Sequence, residues 1–289
     1  MNKLSRRQFL GKSALGIGSV VVASQIPLNL SAGESAKLVK MPLGFQSWIV
    51  REKIGDDFAG TLKMVADMGY QSVEMCSPVG YESMGFGPLK KFKARELKKI
   101  INDAGLKWTS THYGMDELRK QLVERILFAE ESGQAQMIVS SFGLTEKATI
   151  SDWLKAADEL NFMGMMAKNS GIQMGYHNHH MEFNKIGDTL IYDALMSQLD
   201  PGYVKMQFQV AVISVGYKAS TYFKKYPGRF ISAHLADWSS AENKNVAIGK
   251  GIVDWKEFFE SIKTGGVKNI FVEMDIETFK DSAEYIHSL

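Results

Sequence analysis

A single cysteine, Cys76, stands in 289 residues, so no disulfide can close within the chain and the core must hold the fold. Its expected role is that of a small buried hydrophobe rather than a thiolate nucleophile. No run near the N-terminus approaches the ~20 apolar residues that span a bilayer; Ala14 to Ala23 covers ten. Nor does charge of one sign dominate. The net charge is +2, and removing the four bases of the first 33 residues (Lys3, Arg6, Arg7, Lys12) from the total of 34 leaves 30 bases against 32 acids. That balance points away from nucleic-acid and anionic-membrane partners, which are met by clustered Lys and Arg. Linkers, low-complexity stretches and solenoid-length repeats are absent too. Apolar residues make up 45% and charged residues 23%, as in soluble globular proteins.

The N-terminus carries Ser5-Arg6-Arg7-Gln8-Phe9-Leu10-Gly11-Lys12 ahead of that short apolar run. A basic segment, a short apolar segment and a small-residue tail describe a secretory signal. The paired arginines followed by Gln-Phe-Leu resemble a twin-arginine export signal. Residues 1–33 are therefore expected to engage the export machinery and to be cleaved between Ala23 and Gly33, which makes the protein periplasmic or otherwise exported.

From Met41 onward, short apolar runs alternate with longer amphipathic ones. Strands are expected over residues 43–48, 72–75, 107–112, 137–140, 173–177, 204–208, 230–234 and 269–273. Helical periodicity fills the intervals 57–68, 95–104, 117–132 and 151–170, and more weakly 190–199, 219–226, 255–263 and 281–289. Each of the first four helices stops at a glycine (Gly69, Gly105, Gly133, Gly171) suited to the left-handed position after a helix end, and Ser151-Asp152-Trp153 offers an N-cap for the fourth. Eight strand–helix units in about 250 residues fit one α/β domain, a closed (β/α)8 TIM barrel over residues 41–289.

Six histidines are present, and five fall where an expected strand runs out into a loop. Three lie in Tyr176-His177-Asn178-His179-His180-Met181-Glu182-Phe183. In a barrel of this kind the active site lies at the C-terminal strand ends. Read in order, those ends are Gln46, Glu74, His112, Ser140 with Ser141, His177 with His179, Gln209, His234 and Glu273, all polar. Because alternate side chains point inward, Ser232 and His234 face the barrel interior, as do Phe271 and Glu273, and Lys205, Gln207 and Gln209. Buried carboxylates and imidazoles without partners are costly. A divalent cation would satisfy them together, and the mixed donors suit Mn, Zn, Co, Fe or Mg.

The elements Gly44-Phe45-Gln46-Ser47-Trp48, Gly69-Tyr70-Gln71-Ser72-Val73-Glu74, Tyr176 to Phe183, Gly228 to Trp238 and Gly249-Lys250-Gly251-Ile252-Val253-Asp254-Trp255 resemble, in order and spacing, the xylose isomerase-like barrels. The likeness is to the sugar phosphate isomerase/epimerase group, with its inosose dehydratases and ketose epimerases. It implies a metal held by a strand-five carboxylate, a strand-six Asp, a strand-seven His and a strand-eight Glu. The matching positions here are His177, Gln209, His234 and Glu273, so two carboxylates are replaced. That departure implies a softer or weaker metal site, or a carbohydrate-binding barrel that has lost its metal and activity. It also removes the usual pair of carboxylates that work on opposite faces of the sugar.

The resemblance implies proton removal beside a carbonyl to give an enediolate, leading to isomerisation, epimerisation or β-elimination. Glu273, His177 and His179 are the expected acid/base residues. Gln46, Trp48, Glu74, His112, Lys205 and Trp238 are expected to bind the sugar, with Phe45 and Arg51 as further candidates. No phosphate-binding glycine motif occurs in the last two β–α loops, and Gly249-Lys250-Gly251 reads as a flexible loop. With the export signal, this points to an unphosphorylated sugar or keto-sugar. A nuclease like the AP endonucleases of the superfamily is disfavoured by the missing basic clusters. Glu273→Gln and His234→Ala are each expected to abolish activity with the fold intact.

Overall fold

The computed structural model describes residues 38–289; the segment read as an export signal lies outside them. Eight strands form the barrel: Leu43–Gln46 (β1), Ser72–Cys76 (β2), Lys107–Tyr113 (β3), Gln136–Val139 (β4), Gln173–His177 (β5), Val204–Gln209 (β6), Phe230–Leu235 (β7) and Asn269–Val272 (β8). Each leads to a helix: Phe58–Asp67 (α1), Ala94–Asp103 (α2), Met115–Ser132 (α3), Ile150–Asn169 (α4), Ile191–Gln198 (α5), Ala219–Lys225 (α6), Trp255–Gly265 (α7) and Phe279–Ser288 (α8). The strands are parallel, in sequence order, and β1 pairs with β8 to close the barrel. Among the described residues, no helix is long and apolar enough to cross a membrane.

Strand ends and turns follow local chemistry. β1 stops at Gln46, two residues earlier than its apolar run suggests, because the Gln46 side-chain oxygen accepts the Trp48 N–H (3.1 Å) and starts one turn of 3-10 helix. Gln209 does the same after β6 by accepting the Ala211 N–H. Helix α4 is capped by Thr149 rather than Ser151: Thr149 accepts the Asp152 N–H while Asp152 accepts the Thr149 N–H, a reciprocal capping box. Helix α3 ends at Gly133 with φ +72°, a backbone state that L side chains seldom adopt. Gly44 is required by space: a Cβ there would lie 2.5 Å from both the Phe271 ring and the Ser72 hydroxyl. Helical and strand periodicity gave no signal for two short hairpins, 185–186 with 189–190 and 237–239 with 244–246.

The second hairpin begins at Asp237, which is fully buried. Its carboxylate accepts the backbone N–H of Trp238, Gly249, Gly251 and Val253 and the indole N–H of Trp255, at 2.9–3.1 Å. The Gly249-Lys250-Gly251 stretch is thus a loop wrapped on a carboxylate, and a Cβ at Gly251 would sit 2.1 Å from that carboxylate. Asp237→Ala leaves five donors facing one another without an acceptor and is expected to cost about 3–5 kcal/mol of folding stability. Denaturant unfolding checks this, and a loss below about 1 kcal/mol would show that water replaces the carboxylate.

Candidate active site

The registers β2–β3 and β5–β6–β7 bring Glu74 beside Ser110, His177 beside Gln207, and Gln209 beside His234. Because alternate residues face inward, these polar side chains meet in the C-terminal half of the barrel. At the centre is Glu74, with no exposure. One oxygen accepts from Gln46 (2.8 Å) and His234 Nε2 (2.5 Å), with His112 Nε2 at 3.1 Å; the other accepts from Ser110 (2.6 Å) and Gln207 (2.9 Å). Burial alone would push the Glu74 carboxyl up, but the two imidazoles hold it well below the usual carboxylate range.

His234 continues outward. Its Nδ1 meets Glu273 at 2.9 Å, and Glu273 also accepts from the Gln209 amide at 2.6 Å. Burial disfavours a charged His234, but the carboxylates of Glu273 and Glu74 on its two nitrogens raise its pKa to about 9. Burial would raise Glu273, yet the His234 imidazolium lowers it. The result is a line of alternating charge, Glu74–His234–Glu273, whose outer end is 19% exposed.

That outer end faces a cleft of about 300 Å³, walled by His112, His177, His179 and Glu273 on one side of its lining. Trp48, Cys76, Tyr81, Met84, Ser140 and Ser141 make up the rest. Trp48 is braced by the Arg51 guanidinium, 4.4 Å from its ring centre. Tyr81 is fixed across the mouth by donating its hydroxyl to Ser140 (2.6 Å). His177 is 1% exposed, and its Nδ1 is buried without a partner. Burial first, then the neighbouring imidazoles, keeps His177 well below the ordinary histidine value, and burial lowers His179 as well. Both are therefore neutral at pH 7.

The structure brings together Gln46, Trp48, Glu74, His112, His177, His179, Gln209, His234 and Glu273. It does not bring Lys205 or Trp238 to them. Lys205 sits near the N-terminal start of β6, where its ammonium donates to the Gly228 carbonyl at the opposite end of the barrel. Inward parity was right for its strand but said nothing of its depth. Trp238 stands on the hairpin after β7, outside the cleft wall. Phe45 also turns away: it is buried against Tyr70 and Phe279 under the helices. Glu182 cannot stand in for the missing strand-five carboxylate, because it accepts from Tyr176 (2.5 Å) and the His179 N–H (2.8 Å). His180 points instead to Ala211 and Ser214. Cys76 is buried, and burial pushes its thiol well above the ordinary value, so no thiolate forms. Tyr81 and Met84 had no signal in sequence, since they come from the long β2–α2 loop, which has no periodicity.

The donors fit a divalent cation. One nitrogen each from His112, His177 and His234 can be chosen so that all three lie within 4.8 Å of one another, the His177 Nδ1 lacks any other partner, and Glu273 abuts His234. Gln209 points its amide nitrogen at Glu273 and its oxygen at Ala211, so as placed it offers no oxygen to the group.

Residues 62–289 match the family described as xylose isomerase-like TIM barrel. The chain belongs to that family. Among curated proteins, it is 26% identical over 176 residues to an inosose dehydratase of Lacticaseibacillus casei, an alignment that takes in 54% of this chain and 58% of that one. The chain thus spans little more than half the length of such relatives. A solved sugar phosphate isomerase/epimerase of Parabacteroides distasonis superposes with a TM-score of 0.72 at 21% identity, covering 90% of this chain and 97% of that one. A structure of the IOLI protein with a binding zinc atom gives 0.63 at 14% identity, covering 86% and 94%. At these identities the structural likeness is one of fold.

Proposed function

We propose that this xylose isomerase-like barrel is a carbohydrate isomerase, epimerase or lyase that removes the proton beside a carbonyl of an unphosphorylated sugar or keto-sugar. The observation that carries this reading is Glu273: a carboxylate held ionised by His234 and Gln209 at the wall of a cleft that also presents two neutral imidazoles. The dehydratase, isomerase and epimerase names of its relatives are consistent with it, because those reactions share that first step. A divalent metal bound beside Glu273 would supply Lewis acidity to the developing oxyanion.

In this reading Glu273 is the base. It takes the proton from carbon, the C–H electrons form the carbon–carbon double bond, and the carbonyl π electrons move onto oxygen. His179, kept neutral by burial, moves a proton between the two oxygens of the enediolate. Isomerisation ends when Glu273 returns its proton to the neighbouring carbon; elimination ends when the oxyanion re-forms the carbonyl and expels a β-hydroxyl, which leaves as water with the proton that Glu273 took from carbon. Glu273 is the one carboxylate among the residues lining the cleft, so return to the opposite face would fall to an imidazole. Trp48 and Tyr81 would flank the sugar ring.

Turnover of ketoses, keto-glycosides and keto-cyclitols, followed by NMR with and without Mn2+ or Zn2+, tests the reading. A second reading is favoured by Gln209 alone: a carbohydrate-binding barrel without activity. Sugar binding with no turnover in the whole panel would select it.

The N-terminal segment supports a further part of the proposal, that the protein acts outside the cytoplasm. Replacing Arg6 and Arg7 together by Lys is expected to retain the protein inside the cell. Fractionation checks this, and unchanged export would mean that another signal directs it.

A further inference from the structure

We propose that the cation of this cleft is held by His112, His177 and His234, from strands β3, β5 and β7, and that the centre selects a borderline transition ion such as Zn2+ or Co2+ over Mg2+. This deepens the enzyme reading and takes the cleft from it. The ligand set differs from the one the family resemblance implies: His112 enters, Gln209 drops out, and Glu273 stands alongside as the base rather than as a ligand.

Three observations carry the assignment. First, the three rings converge: their centres lie 4.4 Å (His177–His234), 5.1 Å (His112–His177) and 5.1 Å (His112–His234) apart. His177 has a buried nitrogen with no partner, and a cation that displaces the His234 Nδ1 proton now facing Glu273 would serve the three rings together. Second, Glu74 acts as a carboxylate behind the ligands. The same oxygen faces Nε2 of both His112 and His234. Gln207 spends its amide nitrogen on Glu74 and Ser232, so its oxygen accepts from His112 Nε2 at 2.7 Å. That bonding pattern assigns the His112 hydrogen to Nε2 and leaves the Nδ1 lone pair for a ligand. Outer carboxylates of this kind fix the tautomer and orientation of metal-binding histidines. Third, Gln209 is already engaged at both ends of its amide. A centre of three imidazoles with one carboxylate alongside suits Zn2+ or Co2+, whereas Mg2+ prefers an oxygen shell.

The test reads metal binding rather than turnover. The metal-stripped full chain is titrated with Zn2+, Co2+ and Mg2+ by calorimetry, and the Co2+ form is followed by its visible absorption. One equivalent of Zn2+ is expected to bind at least about 100-fold more tightly than Mg2+. His112→Ala is expected to weaken Zn2+ by about 100-fold or more, and Glu74→Gln by about 10–100-fold with a shifted Co2+ spectrum. Gln209→Ala should change Zn2+ affinity by less than about threefold. Melting of each metal-free variant shows that it is folded; should His112→Ala fail to fold, His112→Gln replaces it. Zn2+ binding that survives either His112 variant, that is lost equally in Gln209→Ala, or that Mg2+ matches would overturn the assignment, as would a folded protein that binds no cation. Zn2+ binding as expected without turnover of any sugar would sink the enzyme reading and leave the metal centre standing.

Discussion

Glu273→Gln is expected to lower turnover by about 10³-fold, within the 10²–10⁴ that a positioned general base supplies, while the protein stays folded. The amide keeps the shape of the side chain, and its oxygen can still accept from His234 Nδ1, now at 2.9 Å from the carboxylate. What it loses is the capacity to take a proton from carbon. Because the Glu273 side chain is 19% exposed at the cleft wall, water compensates part of the lost charge, and unfolding stability should change by no more than about 1 kcal/mol. Steady-state kinetics and circular dichroism on the variant check both parts. Turnover within tenfold of wild type would remove Glu273 from the chemistry.

His234→Ala is expected to be more damaging to the fold than its sequence position suggests. The sequence leads one to expect loss of activity alone. In the structure, however, the His234 ring is fully buried between Glu74 and Glu273 and bonded to both. Removing it strips Glu74, itself without exposure, of its imidazolium partner. Breaking a buried pair by deleting one member costs about 3–5 kcal/mol, because a charge is left uncompensated. The effect depends on pH in a defined direction. His234 has its pKa raised from 6.5 to about 9, so its contribution is fully present below about pH 6.5 and is lost as pH rises through about 9. Glu74 and Glu273 are lowered from 4.5, so theirs is present above that value and lost as pH falls through their lower folded values. In the metal-free protein, the stability gap between wild type and His234→Ala should be widest between about pH 4.5 and 6.5 and should shrink toward about pH 9.5. Denaturant melts at both ends of that range check it; a gap that widens with pH would mean that His234 is neutral in the folded protein.

Much of this arrangement is legible in the sequence, for identifiable reasons. The eight strands are short apolar runs, and the helices between them have helical periodicity that ends, in the first four, at glycine, so the order of elements and the barrel follow from local pattern. Strand-end position and parity then bring Glu74, His112, His177, His234 and Glu273 to one place. Depth along a strand is a different quantity. Lys205 has inward parity yet lies near the wrong end of β6, and only the registers with β5 and β7 reveal that. Nor does periodicity describe loops: Tyr81 and Met84 reach the cleft from the β2–α2 loop, and Trp238 leaves it on a hairpin held by Asp237. Side-chain orientation was hidden as well. Gln209 occupies a ligand position in sequence, but its amide spans Glu273 and Ala211. Gln207, read along β6 for parity alone, turns out to link Glu74, Ser232 and His112.

The central claim is that Glu273 lifts a proton from a carbon beside a carbonyl. It is tested most directly by incubating wild type and Glu273→Gln with keto-sugars in D2O, with Zn2+ or Mn2+ present, and following carbon-bound deuterium by NMR. The account predicts that wild type places deuterium at one carbon beside the carbonyl, or eliminates from it, and that Glu273→Gln does so about 10³-fold more slowly. Equal exchange by both proteins, or none by wild type with sugars that it binds, would contradict it.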